Sequence, residues 1–299
     1  MSSVWSEKIL QLLRRMNNFN LPGSGRAACF RFEISGAQVG WIPPHVAALL
    51  AQHPQVFSPP HGGAVALHPG LDTHQRRSEA VEALLQSLRE EEQLTCLAGW
   101  RDEKYNVMSR FSEPPLMCME RAATSLFGVK RYGVHVNGYT VGAGGDVSMW
   151  LARRSKTKQT YPGLLDNVAA GGLAAGLGIK HTLIKECQEE ACIPADLAAA
   201  ARPVATVSYT YEDEEGVFPE SQFVFDLQLP LGFRPRVGDG EVQDFYLLPI
   251  EKVKDLLATD DFKPNSAMVV LDFLIRHSFI EPDSEPCYQE LVTGLHHTL

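Results

Sequence analysis

YPGLLDNVAAGGLAAGLGIKHTLIKECQEEACI, residues 161–193, decides how the rest of the chain is read. A glycine-rich turn (Gly171, Gly172, Gly176, Gly178) runs into a stretch of helical spacing that carries Lys185, Glu186, Glu189 and Glu190. Residues three and four apart are neighbours on a helix, so the three glutamates share one face within about one turn. Ile184, Cys187 and Ala191 fall on the opposite face and can pack on a sheet. Stacked carboxylates repel and weaken a helix. A divalent cation is the simplest compensation, because Mg²⁺ and Mn²⁺ prefer hard oxygen ligands and share them with waters and substrate phosphates.

These residues resemble the Nudix box, which reads Gly, five residues, Glu, seven residues, Arg-Glu, an aliphatic, any residue, Glu-Glu, any residue, Gly and an aliphatic. Gly171 takes the first position, Lys185-Glu186 the Arg-Glu pair, Cys187 the aliphatic, Glu189-Glu190 the second pair and Ile193 the last aliphatic. Two positions depart: Leu177 stands at the first Glu and Cys192 at the last Gly. Lys185 keeps the charge of the box Arg but loses its planar fork. LLDNVAAGG (164–172) and KECQEEA (185–191) resemble a Nudix subfamily with an extra N-terminal domain, linked to thiamine diphosphate metabolism. YGVHVNGYT (132–140), FKPNSAMVVLDFLIRH (262–277) and GWRDEKYNV (99–107) extend the resemblance over most of the chain.

The resemblance implies an α/β fold: a Nudix-type α/β/α sandwich with a mixed sheet over residues 126–299, preceded by a smaller α+β N-terminal domain over residues 1–125. It implies a diphosphatase dependent on Mg²⁺ or Mn²⁺, with Glu186, Glu189 and Glu190 as metal ligands and, with Lys185, as the catalytic set. Gly171 would add a backbone group to the metal, and Gly172 would lie beside the substrate, since glycine lets the backbone approach closely. Leu177 removes one carboxylate from the box. The acidic stretch GDGEVQD (238–244) offers Asp239, Glu241 and Asp244 in its place, and Glu241 is the favoured replacement ligand. The substrate implied is thiamine diphosphate or an oxidised analogue, cut to the monophosphate and phosphate. ADP-ribose or a dinucleotide is the alternative within the enzyme class, and a ligand-binding module without turnover is the alternative outside it. In the N-terminal domain, Trp100 is expected to stack on a ring and Arg101 to bind phosphate.

Composition sets limits on the partners. A formal charge of −9 argues against a nucleic-acid polymer, whose phosphates are bound by clustered Lys and Arg. It leaves room for a small diphosphate held through a metal. The six cysteines lack CxxC spacing in a chain too long to need disulfide staples, which reads as reduced thiols in the cytoplasm. No apolar run reaches the roughly 18 residues of a membrane span. WSEKILQLLRRM (5–16) mixes charge with apolar residues, unlike a signal peptide, and Trp5, Ile9, Leu12, Leu13 and Met16 read as one face of a packed helix.

Elsewhere, strands are expected over 28–35, 100–108, 131–140, 147–154, 204–211, 221–229 and 244–250. Helices are expected over 45–53, 76–93, 119–128, 193–203, 253–259 and 265–278. Tyr132, Tyr139, Tyr209 and Tyr211 sit at alternating strand positions, which fits cross-strand pairs or stacking on a heterocycle. GGLAAGLGIK lacks the Lys-Ser/Thr of a phosphate loop, and no GxSxG elbow is present.

Overall fold

The computed structural model describes residues 3–92 and 94–298. Gln93, expected at the end of the 76–93 helix, lies outside the described residues. The first half holds α1 (Val4–Met16), β1 (Phe30–Ile34), β2 (Ala37–Ile42), α2 (Pro44–Leu50), β3 (Ala64–Ala66), α3 (His74–Glu90), β4 (Lys104–Val107) and β5 (Met117–Glu120). Its three-stranded sheet runs β2-β1-β3, while β4 and β5 pair separately. Apart from α1, one core joins these elements, with Phe32, Phe57 and Phe127 at its centre and Leu84, Leu85 and Leu88 of α3 against them.

The second half holds β6 (Arg131–Val141), β7 (Val147–Arg154), β8 (Leu165–Asp166), β9 (Ala169–Gly172), α4 (Ile179–Ala191), α5 (Ala195–Ala198), β10 (Arg202–Asp213), β11 (Gly216–Gln228), β12 (Val242–Pro249), α6 (Ile250–Leu257), α7 (Pro264–Arg276) and α8 (Tyr288–Gly294). The main sheet runs β10-β11-β6-β7-β12, with β8 on β7 and β9 on β6. The β11–β6 pair is parallel and the others are antiparallel, so the sheet is mixed.

Alternation along the strands builds the layers. Val134 and Val136 of β6 and Trp150 of β7 pack with Leu183, Cys187 and Ala191 of α4 on one face. Met149 and Leu151 of β7 pack with α7 on the other, where helix residues from Ala267 to Leu274 are buried. The result is the expected α/β/α sandwich. The amphipathic face of α1 also joins the α7 layer. Trp5 Nε1 donates to Lys254 O at 2.8 Å, and Asn17 Nδ2 donates to Gly294 O at 2.9 Å.

Local expectations fail where side-chain bonds outrank helical spacing. Residues 119–128 form no α-helix: β5 takes Met117–Glu120 and a single 3-10 turn takes Arg121–Ala123. Met117 and Met119 alternate into the core, and the Glu120 carboxylate accepts from Ala122 N and Arg101 N, which holds the chain in a turn. The strand expected from 100 begins only at Lys104, after Asp102 at φ 56°. The 193–203 helix shrinks to Ala195–Ala198, because Arg202 and Pro203 enter β10 opposite Asp226 and Phe225. Among the described residues no helix is long and apolar enough to cross a membrane.

Candidate active site

The site is built on α4 and the strand before it. Leu183, Cys187 and Ala191 are buried against the sheet, while Ile184 is only half-buried. This orients the acidic face toward β9. A Cβ on Gly171 would lie 2.2 Å from Glu186 Cδ, so only glycine leaves room for that carboxylate. Glu190 is buried and its Oε2 accepts from Ala170 N at 2.9 Å. Glu189 is half-exposed, and Lys185 Nζ lies 2.7 Å from its Oε2 and 3.2 Å from Glu186 Oε1. The lysine ammonium thus already bridges two of the three glutamates. Among the described residues, no group of three or more His, Cys, Asp or Glu side chains is arranged to hold a metal ion.

The 237–241 loop docks on the end of this helix. Asp239 N donates to Glu189 O at 3.0 Å, and a Cβ on Gly238 would lie 1.8 Å from that same oxygen. The docking delivers Glu241 to the cleft wall, where it pairs with Lys158. Asp244 lies beyond, its side chain capping Phe245 N at 2.8 Å.

Both halves of the chain wall one cleft of about 1110 Å³. Arg101, Glu103, Tyr105 and Arg121 come from the first half. Trp100 does not line it: its ring packs under Arg89 at 5.2 Å and its Nε1 donates to Asp102 at 2.9 Å. Tyr105, which the sequence reading did not single out, reaches the glycine turn. A Cβ on Gly172 would lie 1.8 Å from its hydroxyl, and Ala175 N donates to Lys104 O at 2.7 Å beside it. Gly172 lines the cleft, and Tyr105 fills the space beside its α-carbon.

The far end of the cleft is aromatic. Tyr211 stacks on Phe218 at 4.5 Å, and Tyr209 donates to Glu220 at 2.6 Å beside the Glu220–Arg131 ion pair. Strand order β9-β6-β11-β10 puts three strand spacings, about 14 Å, between β9 and β10, and Tyr211 lies four residues further along β10 than Val207, the position level with Gly172. Tyr132 packs against Phe223 while also lining the cleft, and Tyr139 packs against Phe273 away from it.

Charge is distributed unevenly. Burial pushes the Glu190 carboxyl up to about 8, Asp166 adds to the rise, and the Ala170 N–H opposes it. Burial also raises Glu186, with Glu189 and Glu241 adding to it against the pull of Lys185. For Glu241 burial works upward, yet Lys158 and then Arg154 and Arg121 hold it below the usual range. Arg101 is held below its ordinary value by burial and by Arg121.

Known proteins are similar in sequence over much of the chain. A family profile described as "Domain of unknown function (DUF4743)" matches residues 8–131. Nudix hydrolase 20, chloroplastic, of Arabidopsis thaliana is 35% identical over 93% of this chain and 76% of its own length. Nudix hydrolase 24, chloroplastic, of the same plant is 38% identical over 88% of this chain and 72% of its own. The chain belongs to the Nudix hydrolase family. An uncharacterized protein of Saccharomyces cerevisiae is also similar, 38% identical over 75% of this chain and 68% of its own.

The two departures from the Nudix box have defined local settings. Leu177 is half-buried and lines a small pocket with Phe111, Tyr132 and Leu173. Cys192 ends α4 at φ 51°, ψ 32°, the left-handed geometry that the Nudix glycine supplies without strain. Cys192→Gly is therefore expected to be neutral or to stabilise by up to about 1 kcal/mol. A thermal melt checks this, and a clear drop in melting temperature contradicts it.

Proposed function

We propose that this chain hydrolyses the phosphoanhydride bond of a diphosphate linked to an organic group, with Mg²⁺ or Mn²⁺ as cofactor. Thiamine diphosphate or an oxidised analogue is the favoured substrate, and the monophosphate and phosphate are the products. The observation that carries the reading is the layout of one cleft. The α4 carboxylates and the glycine turn stand at one end, Arg101, Arg121, Lys158 and Lys263 along the walls, and stacked aromatic rings at the other end.

The donors are hard oxygens of the kind a divalent cation takes, although Lys185 bridges Glu186 and Glu189 here and the described residues are not arranged as a metal site. Glu190 is a buried carboxyl raised to about 8, held by one backbone N–H, and a nearby cation would relieve its cost. Glu186, Glu189 and Glu190 would hold the ion, with Gly171 and Glu241 completing the set. Bound there, it would polarise phosphoryl oxygens and lower the pKa of a water. The chain's own residues do the rest. Glu186, raised by burial, accepts a proton from the attacking water. Arg101 and Lys158 bind phosphate oxygens, and Lys185 keeps Glu186 and Glu189 in place. Tyr211, backed by Phe218, holds the ring.

The size of the cleft favours ADP-ribose or a dinucleotide as the second reading, since about 1110 Å³ exceeds what a compact diphosphate fills. Leu177 lies beside the cleft, in a small pocket with Phe111, Tyr132 and Leu173, and brings no carboxylate to the box. The test is a hydrolysis screen over thiamine diphosphate, its oxidised analogues, ADP-ribose and dinucleotides, with Mg²⁺, Mn²⁺ or chelator. Metal-dependent release of monophosphate and phosphate from a thiamine compound is expected. Turnover of none of them would overturn the proposal. With the best substrate, Arg101→Ala should raise KM at least several-fold, in line with about 1.5–3 kcal/mol for a charged hydrogen bond. Unchanged KM and kcat would remove Arg101 from the site.

A further inference from the structure

His135 lines the cleft, yet the reaction outlined above leaves it without a task. It sits on the β6 face turned toward α7, as does Asn137, while Val134 and Val136 join the opposite core. A row of buried polar side chains continues from it. His135 Nδ1 lies 2.8 Å from Asn167 Oδ1, Asn167 Nδ2 donates to Asn137 Oδ1 at 3.1 Å, and Asn137 Nδ2 donates to Asp226 Oδ1 at 3.1 Å. All four residues are at most 6% exposed. Arg276 closes the row with bonds of 2.7 and 3.0 Å to Asp226, and His277 Nε2 lies 2.8 Å away.

The direction of every bond follows from the last member. An ionised carboxylate can only accept. Asp226 is kept ionised, because Arg276 and His277 outweigh its burial and hold it below the usual carboxylate range. Asn137 must therefore turn its amide N–H toward Asp226 and its carbonyl toward Asn167. Asn167 must in turn present its carbonyl to His135. That leaves Nδ1 as the protonated nitrogen and Nε2 as the one with the lone pair. Burial, with Lys263, pushes the imidazole down to about 4 against the pull of Asp166, so the ring stays neutral. No group among the described residues engages Nε2. Across the β6–β9 pair His135 faces Ala170, the residue that binds Glu190, and β11 and β10 lie on its other side. It thus stands between the phosphate end and the aromatic end.

We propose that the Asp226–Asn137–Asn167 row fixes His135 as a substrate-binding residue whose Nε2 accepts a hydrogen bond from an N–H or O–H of the bound diphosphate's organic group. The binding role rests on the reading of this cleft as a diphosphate site, whereas the fixed tautomer does not. Asn137, Asn167 and Asp226 are positioning residues.

Long-range ¹⁵N–¹H correlation spectra of the labelled, ligand-free protein read the tautomer directly. His135 should show protonated Nδ1 and bare Nε2 from pH 6 to 8. Saturating thiamine monophosphate with Mg²⁺ should shift the Nε2 resonance and leave Nδ1 nearly unmoved. Asp226→Asn lifts the acceptor-only constraint and should bring in the second tautomer. His135→Phe should raise KM about five-fold with kcat within about two-fold, as for a neutral hydrogen bond made equally in the ground and transition states. Protonated Nε2 in the wild-type protein overturns the row, and unchanged KM in His135→Phe overturns the binding role. If Asp226→Asn does not fold, the wild-type spectrum and His135→Phe decide. Should thiamine diphosphate not be turned over, the kinetic arm uses whichever diphosphate is. If none is, the binding role falls with the proposed function, and the spectrum still decides the tautomer.

Discussion

Glu190→Gln is expected to abolish turnover and, in the metal-free protein, to raise the melting temperature. Gln keeps an oxygen for Ala170 N but brings no charge to the cation, so a loss of at least about 10²–10³ in kcat is expected. The stability effect has the opposite sign. The folded state raises the Glu190 carboxyl from 4.5 to about 8. Between those values the native protein keeps a proton that the unfolded chain has released, so stability falls as pH rises through that window. Gln cannot ionise and escapes the loss. Metal-free Glu190→Gln should therefore melt above wild type at pH 8, with a gap that closes toward pH 4. Each kcal/mol corresponds to about 2–4 °C. A variant with wild-type kcat, or one that melts lower at pH 8, would contradict this assignment.

Gly171→Ala should cost almost as much activity by a different route. Its Cβ would come within 2.2 Å of Glu186 Cδ, so the carboxylate must leave its place. A displacement of about 1 Å at a reacting group costs on the order of 10² in rate. The fold should survive, since Glu186 is a side chain at the cleft edge and not part of the core. Circular dichroism and steady-state kinetics together check this. Wild-type kcat in a folded Gly171→Ala protein would separate Glu186 from the chemistry.

The layers were legible because they follow from periodicity. Val134, Val136, Met149, Trp150 and Leu151 alternate between two cores, and α4 shows its acidic and buried faces in its spacing. Residues 119–128 misled because Met119, Ala123, Leu126 and Phe127 fall at helical spacing and are buried, while the Glu120 bonds to Ala122 N and Arg101 N hold a turn instead. The cleft wall from the first half was harder to see. Tyr105 meets the glycine turn, with Arg121 over its ring, through tertiary packing, and nothing local in WRDEKY marks Tyr105 over Trp100. One signal was available and went unused. Arg131, Gly133, His135 and Asn137 alternate with Tyr132, Val134 and Val136, and a polar row in a strand this buried points to a site.

The central claim is that the α4 carboxylates hold the divalent cation on which turnover depends. Titration calorimetry of Mn²⁺ into wild-type protein and into Glu186→Gln, Glu189→Gln and Glu190→Gln tests it most directly. The account predicts a wild-type binding isotherm that weakens at least ten-fold in Glu190→Gln and in Glu186→Gln. Equal Mn²⁺ affinity in all four proteins would contradict it.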